Sequence, residues 1–304
     1  MKKRRNKLVT LGMAAMMTAA LISGCGKKAT PENLLKDMAK NMKDTESVVA
    51  NMKMDMEMGD DTTTIGIQMD MDIDMDLKSG ESHAKGAVDM KMMGTNVGTE
   101  IEMYTVKEKD QYIVYTMAND QWQKEEMDDS AADMAGELSD LTGSMGGHAK
   151  SFEMSKEKVE VNGEKCFEMK GEIKGSDIVG MMESGMADSL GSEIDEDVIK
   201  DLELPCTIAV YEDDILPAKI SFDMQDIMEK AMEEEGVDVS ACSIEVTYHE
   251  YDSVGEIKVP NDVIEKAGGE VSDDKEDKED KDDDKKADKP AEQSKELGAK
   301  WDSY

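Results

Sequence analysis

Apolar side chains change their spacing near residue 48, and that change divides the chain. Before it, Leu34, Leu35, Met38 and Met42 recur every three to four positions. This predicts a helix running from Pro31 to near Asp44, with Thr30 as its N-cap and proline at the first position. After Val48 the period is two. Met52, Met54, Met56 and Met58 alternate with Lys53, Asp55 and Glu57. Beyond a Gly59-Asp60-Asp61 turn, Ile65, Ile67, Met69, Met71, Ile73, Met75 and Leu77 alternate with Gln68, Asp70, Asp72, Asp74 and Asp76. Alternation kept up over this length predicts amphipathic strands with one wet and one buried face. Ser79-Gly80 turns the chain into a further run from Ala84 to Met92. Strands at Glu100–Val106 and Gln111–Met117, joined at Lys107–Asp110, complete an antiparallel meander, and Trp122 sits just beyond.

The second half mixes both periods. Ser130-Ala131-Ala132-Asp133 matches a capping box with Asp in place of Glu, and Met134, Leu138, Leu141 and Met145 form a helical face that stops at Gly146-Gly147. Lys158–Val161 and Cys166–Met169 flank Asn162-Gly163, a hairpin signal. Helices are predicted at Ser176–Leu190 and Ile194–Leu202, and strands at Cys206–Tyr211 and Pro217–Asp223. A helix with Ile227, Met228, Ala231 and Met232 follows, then a last strand from Ser243 to Tyr251. After Gly268-Gly269 the composition collapses to Asp, Glu and Lys. Residues 270–304 cannot bury enough surface to offset ordering, so a disordered acidic tail is predicted there.

Charge narrows the function classes. The 304 residues carry 71 acids against 36 Lys and Arg, a net charge of -35. Arg4 and Arg5 are the only arginines. Nucleic acid is excluded as a partner, because phosphate binding rests on Lys and Arg. The N-terminus is the exception to this acidity: Lys2, Lys3, Arg4, Arg5 and Lys7 precede an apolar run from Leu8 to Ala20. That run is shorter than the ~20 residues of a membrane span, so it reads as a secretory signal. It closes on Leu21-Ile22-Ser23-Gly24-Cys25, which resembles the lipobox of bacterial lipoproteins, with Ile22 where leucine is commoner. The resemblance implies that residues 1–24 are a removed signal peptide and that the Cys25 thiol receives diacylglycerol, the protein's contact with the bacterial cell membrane. Loss of the five signal cations takes the charge from -35 to about -40. Residues 25–30 are then a lipidated tether reaching ~20 Å at most, and 31–269 form the folded domain.

Three further cysteines occur without CxxC or zinc spacing. Cys206 shares parity with Ile208 and Val210, and Cys242 with Ile244 and Val246, so both are expected in the core, as a disulfide or as small buried thiols. Cys166 shares parity with Glu168 and Lys170 and is expected to face outward.

Two passages resemble the LolA/LppX-like lipoproteins. Tyr211-Glu212-Asp213-Asp214-Ile215-Leu216-Pro217-Ala218-Lys219-Ile220 is similar to their aromatic–acidic turn and Leu-Pro-x-Lys strand. Tyr251-Asp252-Ser253-Val254-Gly255-Glu256-Ile257-Lys258-Val259-Pro260 is similar to their closing strand and the exit to a short terminal helix. The Val161-Asn162-Gly163-Glu164-Lys165-Cys166 hairpin and the Met-rich strands resemble uncharacterised Gram-positive members. The implied fold is α+β, a single curved antiparallel sheet forming a half-barrel with helices packed on its concave side. It implies a pocket for acyl chains or another apolar ligand, and no catalytic residues to carry over.

The methionines leave three readings open: core packing, a surface lining a variable apolar ligand, or thioether ligands for Cu(I). Met52, Met54, Met56, Met69, Met71 and Met75 are the candidate lining residues. Asp70, Asp72, Asp74 and Asp76 stand ~7 Å apart on the opposite face, too wide for shared ligation of one ion. His83, His148 and His249 are scattered, and no catalytic motif appears. The expectation is a lipid-anchored extracytoplasmic binding protein, not an enzyme, without a cofactor. A structural or interaction lipoprotein, and a copper-handling protein, are the alternatives.

Overall fold

The computed structural model describes residues 29–59, 63–108, 111–127, 145–177, 202–232 and 236–268. The signal segment, Cys25, the acidic tail and all but the ends of the helices expected from Ser130 to Met145, at 176–190 and at 194–202 lie outside the described residues. Within them, twelve strands join in one antiparallel sheet. The first six are β1 (Ser47–Gly59), β2 (Thr64–Asp76), β3 (Ser82–Met92), β4 (Thr95–Glu108), β5 (Gln111–Ala118) and β6 (Gln121–Met127). The others are β7 (Glu153–Met154), β8 (Val159–Val161), β9 (Glu164–Lys174), β10 (Glu203–Tyr211), β11 (Pro217–Asp223) and β12 (Asp238–Tyr251). Their order is β6-β5-β4-β3-β2-β1-β12-β11-β10-β9-β7, with β8 also on β9. The sheet is open, two meanders joined where β1 pairs with β12.

Pairing follows the alternation in the sequence. Ser47 to Gly59 meets Asp76 to Thr64 without a slip, so the methionines of β1 face the apolar residues of β2 and the acids share the other side. A one-residue shift would move all of them to the wrong face, which fixes the register. Gly86 on β3 lies so close to β2 that an added Cβ would collide with the Asp70 carbonyl oxygen.

Three α-helices are described: α1 (Pro31–Asp44), α2 (Gln225–Met232) and α3 (Asn261–Lys266). At the start of α1 the Thr30 hydroxyl accepts from the Asn33 N–H at 3.3 Å. Leu34, Leu35, Met38 and Met42 of α1 and Ile227 and Met228 of α2 share one core with Val48, Ala50, Met56, Ile208, Ile220 and Phe222 of the sheet. Each such side chain contributes roughly 1.5–3 kcal/mol by leaving water, more than the propensities of a 14-residue helix supply. A second core forms far from this one in the strand order. Tyr104, Val106, Ile113 and Tyr115 of β4 and β5 are covered by Val263 of α3, with Ile257 and Val259 packed alongside.

Several expectations need correction. Gln121–Met127 is a strand, β6, which carries Lys124, Glu125 and Glu126 and is exposed at four consecutive positions; an edge strand wetted on both sides has no apolar period to reveal it. β4 begins five residues earlier than expected, at Thr95, and β12 at Asp238. Cys166 does not face outward. It is fully buried in a small cluster with Val161, Ala209, Tyr211 and Ala218; the row that carries Glu168 and Lys170 is roofed at that end by residues distant in sequence. Cys206 and Cys242 are buried free thiols. They stand on β10 and β12 with β11 between, and two inter-strand steps of ~4.8 Å put their backbones beyond the ~7 Å limit of a disulfide.

Candidate functional site

The methionine face of β1 and β2 is built by register. Met52 stands opposite Met71, and Met54 opposite Met69. Across β1, Met52 meets Val246 and Met54 meets Ile244 of β12, and these rows continue to Ile220 and Phe222 of β11. On the other flank Met71 faces Gly86 and Met69 faces Val88. Four of the six candidate residues thus form two adjacent pairs. Met52, Met54 and Met69 are half-buried, whereas Met71 is 5 % exposed. Met56, opposite Ile67 and Cys242, is 1 % exposed and belongs to the main core. Met75 faces Val48 and Ser82, ~13 Å along the strand from Met71, and packs against that core. A row of thioethers without directional polar groups suits an apolar contact of loose shape.

An open depression of ≈ 570 Å³ lies on β9–β12. Its lining takes Cys206, Phe222, Cys242 and Ile244 from one side of the strands and Lys170, Thr207, Ser221 and Glu245 from the other. None of the six candidate methionines lines it, although Ile244 and Cys242 are the in-register neighbours of Met54 and Met56. Burial pushes the Cys206 thiol up to about 12 and Cys242 to about 11, so neither is a thiolate at neutral pH.

One polar cluster escaped the sequence reading. His83 Nε2 lies 2.9 Å from Glu102 Oε1, the Tyr104 hydroxyl donates to the same oxygen at 3.1 Å, and Lys85 reaches the other oxygen at 3.4 Å. The His83 and Tyr104 rings stack at 4.2 Å. These residues meet only because His83 pairs with Tyr104 and Lys85 with Glu102 across β3 and β4, a register that spacing along the chain does not reveal. On the acidic face of β1 and β2, the Asn51 amide donates to Asp70 and Asp72 at 2.7 and 2.9 Å, and Lys53 pairs with Asp70 at 3.3 Å. Among the described residues no group of three or more His, Cys, Asp or Glu is arranged to hold a metal ion, and no helix is long and apolar enough to cross a membrane.

The class so defined is an open antiparallel sheet with one apolar, methionine-lined face, helices on its core and a short C-terminal helix on its flank. Residues 30–268 match the model of a family of unknown function, DUF6612, and the chain belongs to that family. Among solved structures it is similar to LprF from Mycobacterium bovis, at 13% identity over 76% of this chain and 96% of that one, with a TM-score of 0.43. It is also similar to a DUF1329 family protein from Desulfovibrio piger, at 10% identity over 75% of this chain and 95% of that one, with a TM-score of 0.23. A beta-barrel-like protein of the DUF1849 family from Brucella abortus shares 8% identity over 68% of this chain and 98% of that one, with a TM-score of 0.24. No curated protein matches the chain.

Proposed function

We propose that this is an exported lipoprotein, cut before Cys25 and held on the cell membrane by that lipidated residue, whose domain binds a lipid or another apolar ligand. In this reading residues 1–24 are the signal, 25–30 the tether, 31–269 a LolA/LppX-like half-barrel with helices on its concave side, and 270–304 a solvated tail. The ligand lies against Met52, Met54, Met69 and Met71, with Met56 and Met75 extending the row. The protein is a binding protein, not an enzyme. The observation that carries the reading is the pairing of Met52 with Met71 and Met54 with Met69 on one apolar face, three of the four left half-buried beside the equally half-buried Val88, Ile244 and Val246. Flexible thioethers at a half-covered surface accommodate guests of varied shape.

The rival reading, a surface lipoprotein whose apolar face is filled by its own helices, draws on the burial of Met56 and Met71. Native mass spectrometry and lipid extraction of the chain from residue 25 onward, carrying Cys25→Ser, separate the two. Co-purifying acyl species, reduced about tenfold by Met54→Asp with Met69→Asp, are expected. A ligand-free protein that takes up no fluorescent fatty acid favours the filled face, and stoichiometric Cu(I) favours thioether ligation.

A further inference from the structure

The large apolar side chains most open to solvent among the described residues collect at one place. Met90, Met92, Met93 and Val97 are 43, 46, 78 and 60 % exposed, and all four sit at the tip of the β3–β4 hairpin. Met90 stands opposite Ile67 and Val97, and Met92 opposite Ile65. The tip is therefore the outer end of the methionine face, continuous through Ile67 and Ile65 with Met56 and Met58 on β1.

Met93 adds a local anomaly. Met92 pairs with Thr95, so Met93-Gly94 is a two-residue turn, and both residues have positive φ, 50° and 78°. Such a turn favours Asn, Asp or Gly, and a long apolar side chain there has no local reason. Two other two-residue turns among the described residues follow the preference. Asn119-Asp120 joins β5 to β6 with φ of 52° and 62°, and Asn162-Gly163 joins β8 to β9 with φ of 54° and 83°. At the β3–β4 apex alone of these three, a methionine occupies the left-handed position and projects into water.

Charge follows the same outline. From Met90 to Thr99 the chain has no carboxylate and one cation, Lys91, in a sequence with 71 acids. The flanking carboxylates, Asp89 and Glu100, stand on the opposite side of the strands from Met90 and Val97, in rows with Gly98 and Ala87. A surface that elsewhere repels anions is locally neutral to basic at its most apolar point.

We propose that the β3–β4 tip inserts into the surface of a lipid bilayer, with Met92, Met93 and Val97 among the acyl chains and Lys91 at the headgroups. The area favours a membrane over a protein. Four side chains on a narrow hairpin expose on the order of a few hundred Å², below the ~800 Å² per partner of a stable protein interface. A bilayer asks for no matching shape, and methionine can adapt to it. A weak insertion suffices where a lipidated Cys25 would already hold the domain near the membrane at high effective concentration. The insertion does not depend on ligand binding by the methionine face; only a role in passing ligand between bilayer and face rests on the function proposed above.

The test uses the whole chain from residue 25 onward with Cys25→Ser, so that no acyl anchor carries it to lipid. Cys166, Cys206 and Cys242 are buried, so Met93→Cys offers a single accessible thiol for an environment-sensitive dye, and Asp213→Cys, in the β10–β11 turn, serves as the control position. With vesicles of phosphatidylcholine containing a fifth phosphatidylglycerol, the dye at 93 is expected to shift to the blue and to be quenched by bromine on the lipid chains, while the dye at 213 does neither. Triple replacement Met92→Asp, Met93→Asp, Val97→Asp is expected to lower vesicle partitioning about tenfold or more without changing thermal unfolding, since these side chains are exposed. No shift at 93, or partitioning unaltered in the triple variant, overturns the proposal. So does a shift that needs no vesicles and grows with protein concentration, which assigns the tip to a second copy. Lipid co-purifying with a chain whose tip ignores vesicles sinks this inference and spares the binding function; a tip that inserts on a chain without lipid does the reverse.

Discussion

Glu102 shows how a single residue ties the strands of the N-terminal meander to pH. Burial works to raise its carboxyl, yet hydrogen bonds from His83 and Tyr104 and the charge of Lys85 outweigh that and hold it below its ordinary 4.5. Its partner Tyr104 is pushed up to about 12 by burial and by the hydrogen bond to this carboxylate. A carboxyl with a depressed folded value stabilises the protein fully above its unfolded value, and the contribution is lost as pH falls through the folded one. The stability gap between the parent and Glu102→Gln, measured by urea unfolding, is therefore expected to be constant above pH ~5 and to shrink below ~4.5. A gap that stays constant down to pH ~3 would show that the cluster does not prefer the charged form. Cys166 makes a different point at the same scale. Its parity with Glu168 and Lys170 was readable in the sequence, but its burial was not, because the side chains that cover it, Tyr211 and Ala218, arrive from β10 and β11.

At the level of elements, α3 is the piece whose role sequence alone leaves blank. It has six residues and no side-chain cap, too little to hold a helix in water. It persists because Val263 closes a core with Tyr104, Val106, Ile113 and Tyr115. Val263→Asp puts an unpaired charge into that core and is expected to cost roughly 2–4 kcal/mol. Hydrogen exchange should then rise across β4–β6 while β9–β11 keep their protection; a uniform rise across the sheet would instead mark α3 as essential to the whole fold. How far elements could be read in advance follows the same physics. β1 from Met52 and β2 from Ile65 were legible, since apolar side chains recur there at every second position without a break. The Thr95–Thr99 start of β4 was not, because Thr95 and Thr99 stand in the row where apolar side chains would mark the period and leave Val97 alone there. β6 was not either, because Trp122 is its only large apolar residue before Met127. Of the candidate site, the six methionines and their common face were legible, but the pairing that joins Met52 to Met71 and Met54 to Met69 became visible only with the strand register. The exposed hairpin tip was hidden for a related reason: periodicity places Met90 and Met92 on the apolar side but cannot say where its cover ends.

For the whole molecule, the decisive contact is β1 with β12, residues 48–59 against 238–251. It joins the two meanders through a continuous ladder, with shifts only between Val49 and Ala50 and between Glu57 and Met58. Neither meander keeps a complete core without it: Val48, Ala50 and Met56 from β1 sit in one cluster with Val239, Cys242 and Tyr248 from β12. Thermal or urea unfolding is thus expected as a single transition, seen alike by far-ultraviolet circular dichroism and, in a Trp301→Phe variant, by the fluorescence of Trp122. Two separated transitions would mean that the meanders stand alone. Pairing across this much sequence also places refolding in the milliseconds-to-seconds range of strand-rich, non-local topologies.

The same seam bears on the protein's birth. Until its twelfth strand has been made, the first has one naked edge, and the thioether strip has no neighbour on that flank. A polypeptide that cannot finish its centre before nearly all of it exists stays threadable, which is the state that the export proposed above would require. The carboxylates on alternate positions then act as gatekeepers during that wait, keeping the unfinished strands apart from one another until the last rung closes.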